Sequence, residues 1–104
     1  MGMDMNAMMR QAQKMQQQML KIQEELANER VEHTTGGGMV KCVVSGQGEV
    51  LSISINPEAL SEGHEVLEDM VLMAVKEAID KSSALQKERM APLTGGINIP
   101  GLGF

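Results

Sequence analysis

MNAMMRQAQKMQQQMLKIQEELANE, from Met5 to Glu29, is the stretch that decides the fold of this 104-residue chain. Its apolar residues Met5, Met8, Ala12, Met15, Met19, Ile22 and Leu26 recur at alternating steps of three and four, the narrow seam of a helix that packs against another helix. On the opposite side Arg10, Lys14, Gln17 and Lys21 follow at steps of four, three and four, so at about 100° per residue they form a single stripe. No carboxylate stands between Asp4 and Glu24. One face is suited to protein, and the other offers donors to an anion.

Downstream of this helix the period changes. Around Asn28 to Arg30 the seam stops, and Val31, His33 and Thr35 begin an alternation of two, the mark of a strand. Gly36, Gly37 and Gly38 break the chain as a turn, and Met39 to Ser45 reads as a second strand with Val40, Cys42 and Val44 on one face. Gly46, Gln47 and Gly48 are expected to supply the positive-φ positions of a tight reversal. Glu49 to Ile55 then alternates Leu51, Ile53 and Ile55 against Val50, Ser52 and Ser54. The three strands form an antiparallel meander.

Asn56 before Pro57 is a helix start signal and predicts a short helical turn through Leu60. Ser61 is positioned to cap a second, long helix in which Val66 to Ile79 is apolar on nearly every side. From Asp80 the pattern narrows to Ala78, Ser82 and Leu85, and Pro92 is expected to end the helix. The reading is an α+β fold: a long N-terminal helix, a three-stranded antiparallel meander, a short helical turn and a long C-terminal helix. Residues 1–92 form a single domain, and 93–104 a flexible Gly/Pro-rich tail.

A helix of about 25 residues is roughly 37 Å long, whereas three strands span no more than about 15 Å. One protomer cannot cover its own helix. The expectation is an intertwined homodimer with protruding helical arms, its interface drawn from Met8, Met15 and Met19 of the seam and Val71 and Val75 of the last helix.

Composition narrows the function. The only aromatic residue is Phe104, so no stacking platform for single-stranded nucleic acid can be assembled and a duplex is the better substrate. A net charge of −5 argues against coating nucleic acid by bulk potential, yet Glu58, Glu62, Glu65, Glu68 and Asp69 concentrate the acid in one segment. One Cys excludes an internal disulfide, and no apolar run reaches the roughly eighteen residues of a membrane helix. With no signal-peptide block at the N-terminus, a cytoplasmic protein without membrane attachment is expected. His33, His64 and Cys42 are too scattered for a metal site, the three glycines lack the Lys-Ser/Thr pair of a nucleotide loop, and no nucleophile has an evident base. No catalysis, cofactor or small-molecule substrate is expected.

Several segments together resemble the YbaB/EbfC family of bacterial nucleoid-associated proteins. They are the opening from Met9 to Gln16, Gly36-Gly37-Gly38-Met39-Val40, Gly46-Gln47-Gly48-Glu49-Val50, Ile55-Asn56-Pro57, Leu67-Glu68-Asp69-Met70-Val71, and Leu93 to Gly101. The resemblance implies a homodimer with two arms, likened to tweezers, that binds double-stranded DNA and affects nucleoid organisation and gene expression; no spacing in the chain matches a recognition helix, so loose sequence preference is expected. The resemblance places DNA contacts on the first and last helices, here Arg10, Lys14 and Lys21 and then Lys81, Lys87 and Arg89, the latter three lying among Asp80 and Glu88; Gln17, on the same stripe as the first set, is expected to add a neutral hydrogen bond to sugar or phosphate oxygens. Lys76 and Asn56 depart from residues common in the family, and both make this chain more basic. The rival reading is a protein-interaction adaptor or chaperone-like scaffold whose Met-rich arms hold a client.

Overall fold

The computed structural model describes residues 4–94. Helix α1, Met5–Asn28, begins where the Asp4 carboxylate accepts a hydrogen bond from the Asn6 N–H at 3.0 Å, which satisfies one of the free amides of the first turn. Extended backbone at Glu29 leads directly into β1, Arg30–Thr35, followed by β2, Val40–Ser45, and β3, Val50–Ile55. The sheet is antiparallel in the order β1-β2-β3. A 3-10 turn, Pro57–Glu62, precedes α2, His64–Thr94.

The core lies between the sheet and α2. Val40, Cys42 and Val44 are fully buried against Ala74 and Ala78, and the small alanines let the helix axis come close to the strands. Leu67, Met70, Val71 and Val75 close the periphery. The helix sits over β1 and β2, so all six residues of β3 are exposed, including Val50, Leu51, Ile53 and Ile55 at 42–44%. A second consequence is shape: the chain extends 73 × 26 × 16 Å with a radius of gyration of 19.6 Å, against about 13 Å for a compact chain of this length.

Four local expectations change. A register shift at Val43/Val44 places Val50 opposite Val44 and Ser52 opposite Val43, so Leu51 has no opposite residue and leaves the alternation with Ile53 and Ile55. Gly48 has φ 88°, but Gly46 is absent from the positive-φ positions; its smallness serves close packing instead. Ser61 does not cap α2: its hydroxyl donates back to the Glu58 carbonyl at 2.7 Å, and Gly63 separates the two helical segments. Pro92 lies inside α2, which continues to Thr94. It deletes one N–H in the last turn, where too little helix remains for a break. The rest of the expected tail, 95–104, falls outside the described residues.

Candidate nucleic-acid interface

Every residue of α1 from Met5 to Lys21 is exposed, and only Leu26 near its end is buried. The helix is therefore a free arm anchored at its base. Arg10, Lys14, Gln17 and Lys21 all lie in solvent along one side. The Arg10 guanidinium reaches the Asn6 carbonyl at 3.4 Å, while Lys14 and Lys21 have no ion pair among the described residues. Successive cations one turn apart stand about 6 Å from each other, comparable to the spacing of phosphates along a strand.

The cations of α2 are placed differently. Lys81 donates to the Glu32 carbonyl at 3.3 Å, which ties it to the outer strand. Arg89 approaches Glu29 at 2.6 Å, and this hydrogen bond, reinforced by the Glu29 charge, holds the guanidinium above its ordinary pKa. The acid that neutralises it comes from the end of α1, sixty positions away, rather than from Glu88 alone. Lys87 is exposed and without an ion pair among the described residues. The structure thus leaves the first set of cations open and engages two of the second.

The arm's direction is set by an elbow that sequence patterning does not reveal. At Gly46 an added Cβ would lie 2.5 Å from the Leu26 carbonyl oxygen, so only glycine permits this approach of the β2–β3 turn to α1. The Gly46 N–H donates to the Glu29 carbonyl at 3.2 Å, and the Gln47 amide donates to the Gln23 carbonyl at 2.9 Å. Below them the buried Ser82 hydroxyl donates to the Ser45 carbonyl at 2.9 Å. Arg30 folds back onto the Ala27 and Glu29 carbonyls, satisfying acceptors at the helix end. The one advance signal was the interruption of the seam at Glu29.

The residues expected at a dimer interface fall in two places. Met8, Met15 and Met19 are 40–48% exposed along the arm. Val71 and Val75 line an open apolar groove with Ile55, Leu67 and Leu72. Cys42 is a free buried thiol whose pKa burial raises. No helix among the described residues is long and apolar enough to cross a membrane.

The model of the YbaB/EbfC DNA-binding family matches residues 1–97. A nucleoid-associated protein of Pelotomaculum thermopropionicum is 53% identical over 98% of both chains. One of Desulforamulus reducens is 52% identical over the same shares. The crystal structure of an uncharacterized protein, HP0035, from Helicobacter pylori superposes with a TM-score of 0.82 at 20% identity, covering 90% of this chain and all of that one. That likeness shows the fold.

Proposed function

Because the chain belongs to the YbaB/EbfC DNA-binding family, we propose that it works at the bacterial nucleoid, in the cytoplasm, as a homodimer gripping double-stranded DNA between two arms. The observation that carries this reading is the partition of charge: Arg10, Lys14 and Lys21 stand on a solvated helix with no acidic neighbour before Glu24, in a chain of net charge −5. Attraction to phosphate is concentrated where the acidic body is farthest away. Phosphate contacts of this kind position DNA without reading bases, which supports loose sequence preference and a broad effect on nucleoid organisation and gene expression. No residue in this reading performs catalysis.

What one chain leaves open supports dimerisation. Val71, Val75, Ile55, Leu67 and Leu72 form an apolar groove beside the exposed edge strand β3, and a second copy related by a two-fold axis can cover both. Met8, Met15 and Met19 are available to the partner or to its last helix. Two arms then present six such cations. With about four to six phosphates neutralised, affinity should fall by roughly 10²–10³-fold between 50 and 200 mM salt.

The test is binding of a labelled duplex at two salt concentrations by the wild-type protein and by Arg10→Ala with Lys14→Ala. Weaker binding by the variant to every sequence alike is expected. Unchanged binding by a folded variant would remove the arm from the mechanism, and no salt-sensitive binding even by the wild type would favour the adaptor.

A further inference from the structure

Helix α1 continues the direction of α2 instead of folding back along it. The two meet where Arg89 reaches Glu29 at 2.6 Å, a point about 38 Å along α2 at the helical rise per residue. The 24 residues of α1 add about 36 Å, and together these lengths account for the 73 Å extent of the chain. An arm lying back over the body would leave an extent nearer the ~46 Å of α2 alone. The end of α2, from Arg89 to Thr94, therefore runs beside the base of the arm and stops level with about Glu24.

The side on which it stops is the apolar one. Ser82 and Arg89 point to the elbow through their bonds to Ser45 and Glu29, and Leu93 follows them on the same stripe of α2. Leu93 is half-buried, as is Ile22, which stands on α1 one turn beyond the buried Leu26. Ile22 and Leu26 belong to the seam that continues through Met19, Met15, Ala12 and Met8. Past Ile22 that seam is open, with Met19, Met15 and Met8 exposed, while Arg10, Lys14 and Lys21 stand roughly 140° around the helix from it. The chain that leaves Thr94 thus starts at the covered end of an uncovered stripe.

The residues that follow fit the stripe in length and spacing. Residues 95–104 read GGINIPGLGF, without a charged side chain, and the seam carries none either. Ten extended residues span about 33 Å, and from the level of Glu24 to Met5 the arm is about 28 Å long. Gly95 and Gly96 permit the turn onto the helix. In extended backbone Ile97 and Ile99 share a side about 6.6 Å apart, against about 6 Å between Met19 and Met15. Pro100 favours a backbone with three residues per turn, which returns Leu102 to the side of Ile99 about 9 Å farther on; Met8 lies about 10 Å beyond Met15. The small Ala12 then falls opposite Pro100 and Gly101.

We propose that residues 95–104 dock along the arm of their own chain, with Ile97 on Met19, Ile99 on Met15 and Leu102 on Met8. The segment closes the apolar side of the arm and leaves its cationic side in water. Its own chain is the partner because the tether at Thr94 already lies at the edge of the seam, which gives an intramolecular contact the advantage over a second copy. Met8, Met15 and Met19 are then occupied by the tail, and dimerisation is left to β3 and its groove. The inference rests on the apolar side of the arm and is independent of DNA binding.

Nuclear Overhauser contacts from the methionine methyl groups of the full-length protein, free of nucleic acid, test this. The expected result is contact of Met19 with Ile97 and of Met15 with Ile99, absent between copies when labelled and unlabelled protein are mixed. Ile97→Ser with Ile99→Ser should shift the Met15 and Met19 signals while those of Val40 and Val44 in the core stay in place. The converse variant, Met15→Gln with Met19→Gln, should shift Ile97 and Ile99 and guards against a defect peculiar to the first. Methionine methyls that touch Val71 or Val75 instead, contacts with the tail found only between copies, or Met15 and Met19 signals unmoved by the tail variant would each overturn the proposal. As no DNA is present, the outcome is separate from that of the duplex experiment.

Discussion

The Arg89 guanidinium lies 2.6 Å from the Glu29 carboxylate, joining the last turns of α2 to the residue at which α1 gives way to β1. The pair is about one-third exposed, so it adds little to global stability. Its consequence is angular: it fixes how the arm leaves the body.

Glu29→Gln should therefore loosen the arm without unfolding the domain. Amide exchange is expected to quicken from Ile22 to Arg30 while the thermal midpoint hardly moves. Spin labels on the arm and on α2 should report a broader distance distribution. An unchanged distribution would mean that Gly46 and Leu26 alone set the angle.

Gly46→Ala forces a methyl against the Leu26 backbone, 2.5 Å from its carbonyl oxygen and 3.0 Å from its Cα. Backbone cannot yield as a flexible side chain does, and overpacking of this kind costs about 1–3 kcal/mol. Urea denaturation should show that loss. Gly37→Ala is the control with a different cause, because nothing lies within 4 Å of it yet its φ is +67°; there the cost is backbone strain of about 1–2 kcal/mol.

The arm and α2 cations should separate in their salt dependence. Lys14→Ala removes one open cation per chain, and for the proposed dimer the slope of log affinity against log salt should become shallower by about 2. Arg89→Ala removes a cation already paired with Glu29, and its slope should change by less. Equal changes would show that Arg89 exchanges Glu29 for phosphate on binding.

Cys42 gives a pH dependence. Desolvation raises its thiol pKa in the folded state above the ordinary value of 9.0, so between the two values the folded protein holds a proton that the unfolded chain has lost. This contribution is complete below pH 9 and disappears as pH rises through the folded pKa; stability should decline in that window. Cys42→Ala should flatten that part of the profile. Alkylation of the native wild type by iodoacetamide should be slow at neutral pH and become fast in urea.

Much of the architecture was legible because it is written in short-range periods. The seam from Met5 to Leu26 announced a helix with one apolar stripe, and the triple glycine with φ of 63°, 67° and 95° announced a turn that other residues resist. Asn56 caps as its pairing with Pro57 predicts, accepting from the Glu58 N–H at 2.9 Å. The elements missed at their edges are those where a side chain had two local options. Ser61 bonded back to Glu58 instead of capping forward, and Pro92 sat too near the helix end to break it.

Sequence by itself determined the order of elements, the family and the cationic stripe, since each depends on residues within a few turns of one another. The tertiary structure decided which cations remain open, why Gly46 must be glycine, and which faces of α2 and β3 lie uncovered. Glu29 and Arg89 meet only because α2 runs back along the sheet to the base of α1, and no periodicity along the chain encodes a contact between residues sixty positions apart.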